Sequence, residues 1–299
     1  MDELTAAGIL DPQLRASYKE CKRLNSLHGK TYYLATLLLP KAKRPHVHAL
    51  YGFARYADEI VDDLKSTHSI EEKTSALTSW GDRVLTDLRN GKSSDPIGLA
   101  LVDTVQRFKI PIELFEAFLR SMAMDLTIAE YQSYDDLMQY VYGSAAVIGL
   151  QMVPILGATD PEAFESAKKL GTAFQLANFI RDVDEDLDRG RIYLPLDELS
   201  ASGVTREMLA ARKLTPEIKA ALIVQIARVR GLQNEATKGI ALLDPASQPC
   251  IEAASELYCG IVDEVEKINY EIFTHRAQTS TWRRIKVALP AYFRALSRR

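Results

Sequence analysis

The sequence predicts an all-α fold, on three observations. Apolar residues recur at helical spacing along most of the 299 residues, and the alternation that marks a half-buried strand is nearly absent. Short turn signals separate the periodic stretches. Glycine (15) and proline (12) are scarce. Together they make about 9% of the chain against an average of about 12%, a shortage that favours long helices.

In chain order, the periodicity places helices at 12–27 and 45–64, both opening on proline, whose fixed φ suits a first helical turn. Apolar spacing continues through 70–89, and 96–107 begins at Pro96. A helix at 112–128 leads to 135–155, which overlaps the longest nearly uncharged stretch of the chain, 140–159. That stretch approaches the ~20 residues of a membrane span, but Gln151, Pro154 and several small residues interrupt it, so it reads as a buried helix and turn. Pro161 opens 161–187 and Pro216 opens 216–243; 246–275 and a basic helix at 281–295 complete the set. No low-complexity linker and no repeat divides the chain, so one domain over 1–299 is preferred to two, although length alone allows either.

Composition narrows the function classes. Hydrophobic residues at 47% and charged residues at 26% are the balance of a soluble globular protein. Lys+Arg 37 against Asp+Glu 40 gives a net charge of -3, with no basic excess to hold a nucleic-acid backbone. Cys21, Cys250 and Cys259 form no CxxC pair, which argues against a zinc site or a disulfide framework. Residues 1–10 carry two acids and lack the basic and apolar segments of a secretory signal, so a cytoplasmic location is expected.

Two carboxylate clusters stand out. In Tyr51-Gly-Phe-Ala-Arg55-Tyr-Ala-Asp58-Glu-Ile-Val-Asp62-Asp63, a helix puts Asp58 and Asp62 one turn apart on one face. In the second, Asn178, Asp182 and Asp186 are spaced by four twice, an oxygen-lined stripe flanked by Phe179, Ile180, Val183 and Leu187. Like charges at this spacing destabilise an isolated helix by a few tenths of a kcal/mol, so each stripe needs a cation. Neighbouring arginines or simple solvation would serve either cluster alone. Two clusters with apolar flanks suit a bundle interior instead, where carboxylate and amide oxygens match Mg²⁺, which keeps waters and completes its shell with phosphate. A diphosphate substrate is implied. Two other patterns fail. Asp182-x-Asp184-x-Asp186 lacks the glycine and terminal glutamate of an EF-hand, having Leu187 and Tyr193 there. Gly29-Lys30-Thr31 lacks the first glycine and preceding strand of a phosphate-binding loop.

DEIVDD at 58–63, NFIRDVDEDLDRGRIYLP at 178–195 and YVYGSAAVIG at 140–149 strongly resemble the squalene and phytoene synthase family, over roughly residues 15–285. The resemblance implies the isoprenoid synthase fold, a single large helical bundle with a central cavity, and head-to-head joining of two prenyl diphosphates. It implies Mg²⁺, or Mn²⁺, at Asp58, Asp62, Asn178, Asp182 and Asp186, and diphosphate binding by Arg55 and Arg181. Tyr51, Gln175, Tyr193, Tyr140 and Tyr258 fall on positions near the substrate. His28, Lys30 and Thr31, in HGKTY, match a diphosphate-end segment in which Gly29 replaces a hydroxylated residue. A further basic residue falls at His275 or Arg276.

The resemblance also implies a chemistry: ionisation of the diphosphate, aided by Lys30 with the arginines, with Tyr51, Tyr140 and Tyr258 offering aromatic faces to the cation. The ordinary reading of each tyrosine is core packing with a hydroxyl partner. The chain looks most like bacterial phytoene synthases acting on two geranylgeranyl diphosphates without NADPH. Dehydrosqualene, squalene or presqualene diphosphate synthesis from farnesyl diphosphate is the alternative, and a helical metal- or diphosphate-binding protein without turnover is the non-enzymatic one. Residues 281–299 carry six Lys or Arg, no acid, and apolar Ile285, Val287, Leu289, Tyr292, Phe293 and Leu296. This tail suits peripheral contact with an anionic membrane, or packing as a solvated terminal helix.

Overall fold

The computed structural model of the chain describes residues 1–62 and 68–298, apart from the side chain of Asp62. Among these residues it is helical, with no named strand. A one-turn α1 (Glu3–Ala6) precedes α2 (Pro12–His28), which starts where Asp11 accepts the Leu14 amide. α3 (Lys30–Thr36) follows Gly29 directly, and α4 (Arg44–Asp62) carries the first acidic cluster. α5 (Ile70–Asn90) opens on a Ser69–Glu72 capping box and stops at Gly91 in the left-handed region. α6 (Gly98–Phe108) and α7 (Glu113–Thr127) follow.

α8 (Tyr134–Val141) and α9 (Val147–Leu156) are one run joined by a π-turn, Tyr142–Ala146. Tyr134–Leu156 is long and apolar enough to cross a membrane, yet it packs between α7 and α10 (Glu162–Arg181). Gly143 lets the π-turn lie close against α7: a Cβ there would lie 2.3 Å from the Ala117 carbonyl oxygen. The second acidic stripe spans α10 and α11 (Val183–Asp188). Then come α12 (Leu196–Ala201), α13 (Arg206–Ala210) and α14 (Pro216–Thr237), the last tightening into a 3₁₀ turn at Lys238–Leu242. α15 (Gln248–Cys259), α16 (Ile261–Lys267) and α17 (Thr281–Ser297) close the chain.

The expected helices differ in three ways. The expected 161–187 is two, because Asp182 leaves helical geometry (φ −99°, ψ 13°) with its carboxylate turned onto the Arg181 guanidinium. The Asp182 and Asp186 amides still bond the Asn178 and Asp182 carbonyls, so the stripe survives the kink. The expected 246–275 breaks at Gly260, where the Arg283 guanidinium takes the side-chain space, and ends before Asn269 and Tyr270, both left-handed. α1, α3, α12 and α13 are too short for their periodicity to register.

Two apolar clusters form the interior. One gathers Phe53, Trp80, Phe115 and Phe118 of α4, α5 and α7; the other gathers Ile180, Leu222, Ile226 and Val229 of α10 and α14. Buried polar groups tie α2 to α4: Tyr18 Oη lies 3.0 Å from His46 Nδ1, and Asn25 Nδ2 lies 2.9 Å from His48 Nδ1. Burial pushes both imidazoles down to about 4, so both are neutral in the fold. The unfolded chain, with histidines near 6.5, binds more protons between these values, so stability is full above about pH 6.5 and falls as pH falls. At pH 5.5 each histidine is expected to cost about 1–1.5 kcal/mol. Urea midpoints at pH 7.5 and 5.5 check this; equal midpoints would contradict it.

Candidate active site

A cavity of about 550 Å³ opens between the two acidic helices. α4 contributes Tyr51, Arg55 and Asp58 to its wall; α10 and α11 contribute Gln175, Asn178, Asp182 and Asp186. Tyr140 and Tyr193 also line it. Beyond the polar end the wall is apolar, with Leu50, Met122, Ile148, Leu156, Ala163 and Leu243. The i, i+4 spacing in each helix puts several oxygens on the cavity side, which is why separate sequence clusters meet in one place.

Arg181 clamps Asp182 through Nε to Oδ1 at 2.7 Å and a second bond from its terminal nitrogen. Arg276 adds 3.1 and 2.9 Å contacts to the same Oδ1 and lies 3.2 Å from Glu185. Of the two basic positions left open by the sequence, Arg276 is therefore the one at the site; His275 instead bonds Thr274 Oγ1 at 2.8 Å. Asp186 is buried, and its carboxyl is pushed up to about 7 by that burial and by the charge of Asp182, against the opposing pull of Arg189 and Arg191. Arg55 Nε donates to Glu59 at 3.1 Å, and His28 Nε2 stands 3.8 Å from the same oxygen.

Several expected residues lie off the wall. Tyr258 sits one layer behind, with Phe174 stacked on it at 4.8 Å and Tyr32 tilted against it at 5.0 Å; those two rings do line the cavity. Arg181 stands behind Asp182. His28, Lys30 and Thr31 straddle the junction of α2 and α3, where Gly29 is required because a Cβ would fall 2.5 Å from the Tyr51 ring. The glycine that departs from the motif thus makes room for Tyr51. The Asp62 side chain lies outside the described residues. Sequence reasoning gave no site role to Tyr32 or Asp125, and took Arg189 and Arg191 only as charge compensation for the second stripe; all four are on the wall. The available signal for Asp125 was one acid among Met122, Met124 and Leu126 in an apolar helix.

The donor set fits a hard divalent cation. Asn178 Oδ1 is buried with no hydrogen-bond partner, and on the same wall the Asp186 carboxyl is pushed up by burial and the Asp182 charge, which Arg189 and Arg191 offset only in part. Every donor is oxygen, as Mg²⁺ or Mn²⁺ prefers. Among the described residues no three His, Cys, Asp or Glu side chains converge closely enough to hold a metal by themselves.

This is a helical protein with a cavity ringed by acids and arginines at one end and apolar at the other, shaped for a molecule with an anionic head and a hydrocarbon tail. It belongs to the squalene/phytoene synthase family, whose pattern matches residues 26–283. It is 37% identical over 289 residues to phytoene synthase 2, chloroplastic, of Solanum lycopersicum, covering 95% of this chain and 92% of that one. Against phytoene synthase, chloroplastic, of an Oncidium hybrid cultivar it is 38% identical, covering 100% and 72%. Its fold matches a dehydrosqualene synthase crystal structure with a TM-score of 0.86 at 26% identity, over 99% and 100% of the chains. A squalene synthase from Alicyclobacillus acidocaldarius matches at 0.81 and 26%, over 89% and 98%.

Proposed function

We propose that this protein is a phytoene synthase, a metal-dependent prenyltransferase folded as one helical domain. It joins two geranylgeranyl diphosphates head to head through prephytoene diphosphate to phytoene, releasing diphosphate and using no NADPH. Nearly full-length similarity to phytoene synthases supports the reaction; the depth of the cavity carries the choice of chain. Wall residues run along α10 from Asn178 to Ala163, about 22 Å at 1.5 Å per residue. With carbon–carbon bonds of about 1.5 Å, a prenyl unit extends about 5 Å, so a geranylgeranyl chain needs about 20 Å and a farnesyl chain about 15 Å.

Each group has a task in this reading. Asp58, Asp62, Asn178, Asp182 and Asp186 hold Mg²⁺, which supplies Lewis-acid stabilisation of the leaving diphosphate. Arg55, Arg181 and Arg276 carry part of the same negative charge through charge-assisted hydrogen bonds. His28, Lys30, Thr31, Gln175 and Tyr193 shape the polar end around the head group. When the allylic carbon–oxygen bond breaks, its electron pair leaves on the diphosphate and the cation stays among apolar walls that exclude water. Tyr51 and Tyr140 face it directly, and Tyr258 backs Tyr32 and Phe174; cation–π contacts contribute ~0.5–2 kcal/mol each.

Farnesyl diphosphate, giving a dehydrosqualene- or squalene-type product, is the second reading, favoured by the two solved structures. Labelled geranylgeranyl or farnesyl diphosphate with Mg²⁺, with and without NADPH, separates them. Phytoene from geranylgeranyl diphosphate without NADPH is the expected product. A faster reaction to a thirty-carbon product selects the second reading, and neither hydrocarbon nor diphosphate release selects a binding protein.

The same proposal places the protein in the cytoplasm, peripheral at a membrane through α17. The matched plant relatives are chloroplastic. α17 packs Val287, Ala291 and Ala295 inward and exposes Trp282 (81%), Phe293 (61%) and Leu289 (53%). A basic helix with such a face binds anionic interfaces, where an oily product can leave. Arg283 also bridges Asp263 and Glu264, so deleting α17 would disturb the bundle. Trp282→Ser/Leu289→Ser/Phe293→Ser is the cleaner test. It is expected to lower sedimentation with anionic vesicles at least tenfold, and equal partitioning removes the membrane role.

A further inference from the structure

We propose that Asp125 is a positioning residue for the reaction, acting through Tyr140 and Tyr193. Near the C-terminal end of α7, its carboxylate takes one phenol on each oxygen. Tyr140 Oη donates to Oδ2 at 2.7 Å and Tyr193 Oη to Oδ1 at 2.9 Å. The two rings come from different parts of the chain, α8 and the segment after α11, so this one carboxylate sets their relation to each other. They lie 5.6 Å apart within an aromatic cluster that includes Phe179, 4.1 Å from Tyr193. Arg191 braces the arrangement, donating to the Asp125 carbonyl at 2.9 Å and to Tyr193 Oη at 3.3 Å.

The arrangement has two consequences for a cation formed in the cavity. Each phenolic proton is committed to Asp125, so the Tyr140 oxygen meets the cavity only as an acceptor. A carboxylate at the far side of each hydroxyl also makes the phenols more electron-rich, strengthening the attraction between ring face and cation. Burial and the Asp125 charge both hold these phenols well above the usual tyrosine range, so they keep their protons. Asp125 lines the cavity, and each of its two carboxylate oxygens accepts a hydrogen bond from one of the phenols.

This role rests on the prenyl diphosphate reading, and the test separates the two. Asp125→Asn keeps the size and one acceptor but removes the charge. With geranylgeranyl diphosphate, the variant is expected to lose about 100-fold in kcat, the scale of one preorganised polar group, with KM changed less than threefold; Asp125→Glu should recover part of the loss. In a Tyr140→Phe/Tyr193→Phe background the same substitution should cost less than threefold, because its targets are gone. In full-length protein labelled at tyrosine Cζ with ¹³C, Asp125→Asn should move the Tyr140 and Tyr193 signals while leaving distant tyrosines in place. An Asn variant with wild-type kcat, or a loss undiminished in the double-Phe background, overturns the role. If the wild-type chain makes no hydrocarbon from any prenyl diphosphate, the functional reading fails, and with it a role in that reaction. Unmoved Tyr140 and Tyr193 signals overturn the positioning itself.

Discussion

Asp182→Ala is expected to abolish hydrocarbon formation, with kcat down at least 10³-fold, the upper end of what removing one charge-stabilising group costs, while far-UV circular dichroism stays that of the wild type. Asp182 stands where three effects meet. It belongs to the oxygen stripe with Asn178 and Asp186, it receives both Arg181 and Arg276, and it lines the cavity. Its loss weakens cation binding and also releases two guanidiniums from their set positions. Arg181 is largely buried and loses a bidentate partner, so about 1–3 kcal/mol of stability should go as well. Asp58→Ala should match it in activity. Two readouts separate the metal from the fold: Mg²⁺ with inorganic diphosphate should raise the wild-type melting temperature and leave that of Asp182→Ala unmoved. Turnover retained in both single variants would remove the acidic stripes from the mechanism.

What the sequence made legible was set by periodicity. Asn178, Asp182 and Asp186 sit at a helical interval, so their common face follows from 3.6 residues per turn, and the kink at Asp182 leaves it intact because the i to i+4 amide bonds continue. The same logic places Asp58, Tyr51 and Arg55 on one wall. It has no purchase on relations between helices. Asp125 is a single acid whose meaning depends on two tyrosines 15 and 68 positions away. Arg276 reaches Asp182 from beyond the left-handed pair Asn269 and Tyr270 that follows α16, a backbone turn that no apolar pattern records. Tyr258 illustrates the converse: its motif marks it as near the substrate, but which ring fronts the cavity is decided by packing, and Tyr32 and Phe174 stand in front.

Ala163→Phe is expected to change the product. Ala163 is 2% exposed in the bundle, lines the cavity, and lies at the end of α10 farthest from the acids. At 1.5 Å per residue it marks the wall about 22 Å from Asn178, and a phenyl ring there should remove roughly one prenyl unit of depth, about 5 Å with carbon–carbon bonds of about 1.5 Å. A geranylgeranyl chain then no longer reaches full extension with its diphosphate among the acids, while a farnesyl chain still does. Even one methylene in an apolar pocket changes kcat/KM by about 10- to 200-fold. Geranylgeranyl turnover should therefore fall about 100-fold or more, farnesyl turnover should hold within tenfold, and mixed incubations should shift from a forty- to a thirty-carbon hydrocarbon. The substitution acts far from the metal ligands, so Mg²⁺ dependence should not move. The ratio of the two kcat/KM values is the decisive quantity, because lost folding would lower both together. An unchanged ratio in a folded variant would mean that the hydrocarbon tail does not run along α10, and that the depth of this wall does not set the length of chain the enzyme accepts.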